Sequence, residues 1–149
     1  MQLRLEGSNS INAQRDRIYS LLTDPNFIAK TLPDAEGVRV LDGSNLEATI
    51  RLRVAVVSAK IAMKMTLNRT QPPTTASLVA EGRGSGSTMK ISSVFTLSGD
   101  SPTTMAWAAD AEIGGVMAGL GSALLKGFAT RKVAEIFAGI TQAIEESSP

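Results

Sequence analysis

Near its end the chain changes its hydrophobic period from that of a strand to that of one long helix, and that change limits the folds open to it. Residues 105–113 (Met105-Ala106-Trp107-Ala108-Ala109-Asp110-Ala111-Glu112-Ile113) keep bulky side chains on odd numbers and charges on even ones, the period of a strand with one buried face. After Ile113-Gly114-Gly115 the pattern becomes helical and holds to about Glu146. A sheet whose last strand feeds one long helix back across its concave face makes a cleft. The residues expected to line it are almost wholly apolar, which points to binding rather than catalysis.

Composition narrows the chemistry. With 149 residues and no linker, repeat or low-complexity tract, one domain spanning 1–149 is expected, burying roughly 68–70% of its unfolded surface. Fifteen basic and fourteen acidic residues leave a net charge of +1, so no global charge calls for nucleic acid. Cysteine and histidine are both absent, which removes disulfides, thiolate nucleophiles and the commonest general base and metal ligand. The N-terminal Met1-Gln2-Leu3-Arg4-Leu5-Glu6 is no signal peptide, and no apolar run reaches the ~18 residues of a membrane span. A soluble, cytoplasmic protein is expected, with peripheral contact at the inner face of the membrane as an alternative.

Along the chain, Gln2 to Ser10 alternates and reads as a first strand. Asn12 can cap a helix through Leu22, with Ile18, Leu21 and Leu22 as its apolar side. Asp24-Pro25 starts a second short helix, the carboxylate capping and the proline in the first turn, ending near Leu32-Pro33. From Glu36 to Ile113 strand patterns are broken at Asp42-Gly43-Ser44, near Val57-Ser58, at Gln71-Pro72-Pro73, across residues 82–87 and at Gly99-Asp100-Ser101-Pro102. Six strands result, seven with the first, and their short connections make them antiparallel.

Parity divides the sheet into two faces. Ile50, Leu52, Val54 and Val56 oppose Arg51 and Arg53; Ile61, Met63, Met65 and Leu67 oppose Lys60, Lys64 and Asn68. Leu78 faces away from Glu81, and Met89, Ile91, Phe95 and Leu97 oppose Lys90, with Met105 and Trp107 completing the inner face. Ser93 reads as its one clearly polar side chain. On the helix, Leu125, Ala129, Val133, Ile136, Ile140 and Ile144 form a docking stripe opposite Arg131, Lys132, Glu135 and Glu146. In the earlier half, Met117, Leu120, Leu124 and Phe128 project on the side that is later charged, while Ala118 and Ser122 continue the stripe. Small residues there would leave volume beneath the helix. Two readings of the bulky four stay open: packing against the N-terminal helices, or an exposed apolar patch for a membrane or partner.

The order and spacing of several motifs resemble the carbon monoxide dehydrogenase G-subunit (CoxG) family, within the START-like (SRPBCC) helix-grip superfamily. They are Asp24-Pro25 with Leu32-Pro33, Gln71-Pro72-Pro73, Gly82-Arg83-Gly84-Ser85-Gly86, and the run from Ile113-Gly114-Gly115 through Val116-Met117-Ala118-Gly119-Leu120-Gly121. The resemblance implies an α+β fold, a seven-stranded antiparallel sheet wrapped around a long C-terminal helix with two short helices after the first strand. It also implies an apolar cavity and an accessory role beside a molybdenum hydroxylase, read in this family as membrane association and quinone carriage. Two departures stand out. Thr31-Leu32-Pro33-Asp34 lacks a cysteine often found there, and Val57-Ser58-Ala59 replaces a Gly-Pro hairpin. Some relatives carry a C-terminal membrane anchor; the sequence here ends at Ser147-Ser148-Pro149, so permanent anchoring is not expected.

Other motifs favour bland readings. Residues 82–86 link two strands and fail the dinucleotide spacing, so a hairpin is expected rather than a phosphate loop. Asp110 and Glu112 share the outer face of one strand, which suits a solvated surface better than a metal or acid–base pair. Asn68-Arg69-Thr70 is a glycosylation sequon without a secretory context. Arg51, Arg53, Lys60 and Lys64 would cluster on the outer face without interleaved aromatics, arguing against nucleic acid; a solvated face, an anionic membrane or an acidic partner remain. Met63, Met65, Met89, Met105 and Met117 fit either core or an adaptable ligand wall.

The expected ligand-binding set is therefore Ile61, Met63, Met65, Leu78, Met89, Ile91, Ser93, Phe95, Met105, Trp107, Ala118 and Ser122, with Trp107 or Ser93 at a head group. Met117, Leu120, Leu124, Phe128, Arg51, Arg53, Lys60 and Lys64 form the expected partner or membrane contact. Neither a catalytic residue nor a metal nor a covalently bound cofactor is expected. The leading reading is a non-enzymatic carrier of an isoprenoid quinone or lipid. The alternative is an adaptor linking the oxidoreductase to the membrane or assisting its assembly, and an enzyme such as a cyclase ranks last.

Overall fold

The computed structural model describes residues 1–147; the Ser148-Pro149 end lies outside the described residues. Strand β1 (Gln2–Ile11) is followed by α1 (Arg15–Leu22) and α2 (Pro25–Thr31). Six strands then run in sequence: β2 (Ala35–Val40), β3 (Asn45–Val54), β4 (Val57–Gln71), β5 (Thr75–Gly84), β6 (Ser87–Gly99) and β7 (Thr103–Gly115). A 3-10 turn (Ala118–Leu120) leads into α3 (Ser122–Glu146). The sheet order is β1-β7-β6-β5-β4-β3-β2, antiparallel throughout. The element order and antiparallel sheet are those expected from the residue pattern, and the whole is the helix-grip architecture that the family resemblance implies.

Local chemistry explains most boundaries. Asp24 caps α2 by accepting from the Asn26 N–H at 2.9 Å, which satisfies one of the donors a helix start leaves open. The expected Asn12 cap is not made. Gln14 precedes α1 without a side-chain cap bond, and the Asn12 N–H instead donates to the Glu145 carboxylate at 2.9 Å, tying the end of β1 to the end of α3. The β3–β4 turn falls at Ala55-Val56, two residues before its expected place, with Ala55 at φ 54°. Val56, expected on the inner face, therefore sits at the tip and is 92% exposed.

The largest revision concerns the start of the grip helix. Gly121 adopts φ 93°, a conformation that side chains rarely tolerate, and α3 begins only after it. Residues 116–121 therefore do not share the helical phase of α3. Met117, placed in the expected partner or membrane contact with packing as the open alternative, is 1% exposed and packed, and its N–H donates to the Ser87 hydroxyl at 3.0 Å.

Two apolar clusters hold the layers together. One gathers Leu46, Ile61, Met63, Met65, Ile113 and Met117 around Leu125 in the first turn of α3. The other gathers Ile11, Ile18, Tyr19, Leu97 and Met105 around Ile140 and Ile144 near its last turns. The helix is thus fastened at both ends. Among the strands, its backbone approaches β1 most and β3 next, and the central strands less.

Candidate functional site

Between the clusters lies a strip where inward-facing side chains are only half-buried. The sheet contributes Leu5, Leu78, Ile91, Ser93, Phe95, Trp107, Ala109 and Ala111; the helix contributes Ala129, Val133, Ile136 and Phe137. Leu5, Ala109, Ala129 and Val133 belong to neither cluster. One row across the inner face reads Leu67-Leu78-Ser93-Ala109-Leu5, and the next reads Leu46-Met65-Ala80-Ile91-Ala111-Leu3. Ser93 and Ala109 lie side by side in the first row and Ala80 and Ala111 flank Ile91 in the second, so small side chains recur where the strip crosses the sheet. No Asp, Glu, Lys or Arg occurs on this strip.

The expected ligand-binding residues divide between wall and core. Leu78, Met89, Ile91, Ser93, Phe95 and Trp107 are half-buried along or beside the strip. Ile61, Met63, Met65 and Met105 are 6% exposed or less and pack within the clusters. Ala118 is half-buried in the 3-10 turn, and Ser122 is exposed on the first turn of α3 rather than beneath it. Sequence reasoning missed Leu5, Ala109, Ala111 and Phe137. For Phe137 the signal was present, because it stands four residues after Val133 and three before Ile140.

The few inner polar groups are mostly engaged. The Ser93 hydroxyl donates to the Leu78 carbonyl at 3.2 Å, and the buried Thr103 hydroxyl donates to the Ala13 carbonyl at 2.9 Å. Trp107 donates its indole N–H to Asn9 Oδ1 at 3.0 Å and stacks on Phe137 with ring centroids 4.8 Å apart. Its ring lies over Gly7, where a Cβ would come within 2.8 Å of it. Ser93 is accordingly not the one polar residue of the inner face; Asn9, Ser87 and Thr103 share it. At the second cluster, Tyr19 meets Phe95 edge-on at 6.0 Å and donates its hydroxyl to the Thr75 carbonyl. Burial pushes its phenol pKa up, partly offset by Arg69.

Two open depressions are lined by residues outside the strip. A groove of about 580 Å³ runs between Asn9-Ser10 of β1 and Ala138, Thr141, Gln142, Glu145 and Glu146 of α3. A second, of about 480 Å³, adjoins Arg69, which donates to the Thr23 and Gly43 carbonyls at 2.5 and 2.7 Å and ties the α1–α2 junction to the β2–β3 turn.

The outer face differs from the expected basic cluster. Arg39, Glu47, Lys64, Glu81, Lys90 and Glu112 alternate in sign along one cross-strand row, so Lys64 stands between two acids. Glu36 lies 3.8 Å from Arg51 and 3.4 Å from Lys60, and Asp110 pairs with Arg4 at 2.7 Å. Arg53 remains exposed beside the Ala55-Val56 tip. Of the expected apolar patch, Leu120 and Phe128 pack against the first cluster, while Leu124 is 41% exposed, as is Val116 at 52%.

A sequence profile of the carbon monoxide dehydrogenase G-subunit, CoxG, matches residues 7–145. The chain belongs to the CoxG family. Solved structures agree on the fold. A conserved protein from Geobacillus kaustophilus is 23% identical, with a TM-score of 0.87 and 97% of each chain covered. A START superfamily protein from Mycobacterium smegmatis is 14% identical, with a TM-score of 0.73, covering 97% of this chain and 99% of its own. An aromatase/cyclase from a Streptomyces species is 12% identical, with a TM-score of 0.66, covering 97% of this chain and 94% of its own. No curated protein matches the chain significantly. CoxG is an accessory protein on a fold that typically binds ligands, although some proteins of this fold are enzymes. Among the described residues no helix is long and apolar enough to cross a membrane, and no group of three or more acidic, histidine or cysteine residues could hold a metal.

Proposed function

We propose that this protein is a non-enzymatic carrier of a long apolar molecule, with an isoprenoid quinone as the leading candidate and another lipid as the next. It serves a molybdenum hydroxylase of the carbon monoxide dehydrogenase type, in the cytoplasm and with peripheral contact at the membrane. The observation that carries this reading is the uncharged, half-buried strip between two packed clusters. Covering it with a chain of methylenes, at ~0.8 kcal/mol each, supplies affinity without any directed polar contact. A catalytic reading would need an acid–base group on the strip, and the residues there provide none. Exposed Val56, Val116 and Leu124 favour a docking role in addition, which makes handover to an enzyme or membrane part of the same function.

The test is to extract the purified protein, before and after incubation with membrane lipids, and identify the extract by mass spectrometry. A stoichiometric isoprenoid quinone or lipid is expected. Empty protein after both treatments overturns the carrier reading and leaves the adaptor role.

A further inference from the structure

The groove between β1 and α3 adjoins the strip through one pair of side chains. Trp107 presents its ring to the strip against Phe137, and its indole N–H reaches Asn9 at 3.0 Å. An indole nitrogen only donates, so the side-chain oxygen of Asn9 faces Trp107 and its amide nitrogen turns away. That nitrogen, with two N–H donors, makes no hydrogen bond among the described residues, and Asn9 lines the groove. The Thr141 hydroxyl beside it is likewise without a partner among these residues. The groove's two carboxylates are engaged: Glu145 accepts from the Asn12 N–H and Glu146 from the Gln142 amide, each at 2.9 Å. They nevertheless hold negative charge at the rim, which disfavours a phosphate or carboxylate head group.

We infer that this groove is the head-group subsite of the carrier, taking a neutral carbonyl on the Asn9 amide while the apolar tail lies along the strip. The inference rests on the carrier reading and adds to it a selectivity: a quinone or ketone head is preferred to an acidic lipid head. A volume of about 580 Å³ accommodates a ring of that kind, being within the ~300–1,000 Å³ of small-molecule sites. Trp107 then acts as a positioning residue that fixes the orientation of the Asn9 amide.

Trp107 is the sole tryptophan of the chain and reports the pair directly. The experiment measures equilibrium binding of three probes with the same short isoprenyl tail: a benzoquinone, a plain benzene and a benzoate. The native protein is expected to bind the quinone about tenfold more tightly than the benzene and to bind the benzoate least. Asn9→Asp keeps an acceptor for Trp107 but removes both donors. Unchanged Trp107 emission shows the pair intact, and the quinone preference is then expected to vanish while the benzene affinity stays. Equal binding of quinone and benzene by the native protein, or an Asn9→Asp variant that weakens both alike, overturns the subsite and leaves the carrier. Failure of all three probes to bind overturns the carrier reading, and the subsite with it.

Discussion

The two ends of the grip helix and its middle obey different packing rules. At the ends, Leu125, Ile140 and Ile144 are at most 6% exposed and lie among branched and sulfur-containing side chains of the sheet. In the middle, Ala129 and Val133 of the helix and Ala109, Ser93 and Ala111 of the sheet are all only half-buried. Protein interiors ordinarily pack such side chains more closely, because lost dispersion contacts are costly. A half-buried apolar strip between two filled clusters is what a protein needs if its missing contacts come from a ligand.

The contrast predicts that one substitution has two costs. Ile61→Ala removes a side chain with no solvent exposure and should destabilise by about 2–5 kcal/mol. Ile91→Ala makes the same chemical change on a half-buried side chain at the edge of the first cluster and should cost less, about 1 kcal/mol in the empty protein, since fewer contacts are lost. Urea unfolding of both variants reads the difference. Equal losses would mean that the strip is packed like the ends.

Charge insertion sharpens the same distinction in functional terms. Leu78→Glu places a carboxylate where solvent already reaches, so the protein should fold, lose about 1 kcal/mol and fail to retain an apolar ligand. Met63→Glu buries the same group at a site 6% exposed, where an unpaired charge is not accommodated, and should unfold the domain. Circular dichroism with mass spectrometry of the extract separates the two outcomes. A folded Leu78→Glu protein that still loads its ligand would remove the strip from the site.

How much of this was legible beforehand depends on the range of the physics involved. Inward and outward parity along β3 to β7 follows from side-chain alternation within each strand, and the Asp24 cap is a contact across two residues. Both could be read locally. The outer charge row could not, because pairing Lys64 with Glu47 and Glu81 depends on turn positions such as Ala55-Val56 that set the register. Met117 was misplaced because a single backbone conformation, at Gly121, resets the helical phase and cancels the periodicity counted across it. Asn9 escaped notice for a different reason: as a polar residue on an inner face it carries no periodic signal, and its role depends on Trp107, a residue of another strand that reaches it across Gly7. The site was therefore visible where it is hydrophobic wall and invisible where it is a long-range pairing.

The smallest effect concerns what holds the helix over the strip. Lys132, midway along α3 and 24% exposed, contacts Asp34 at 2.6 Å and Glu135 at 3.0 Å, which joins the helix to the α2–β2 turn at the rim of the strip. The hydrogen bond from Lys132 to Asp34 raises the Lys132 pKa, against a smaller opposing effect of burial. A raised folded value makes the charged lysine the stabilising form. Its contribution is complete below the ordinary value of 10.5 and is lost as pH rises through the higher folded value, so it stays constant between about pH 6 and pH 9. Because both partners are partly exposed, Lys132→Met should cost about 1 kcal/mol or less, with the loss shrinking in about 1 M salt. The same variant should release a bound apolar ligand faster than the native protein, since Ala129 and Val133 in the middle of α3 are only half-buried and this tether supplies part of what holds them. A release rate equal to that of the native protein would show that the clusters at the two ends alone keep the helix over the strip.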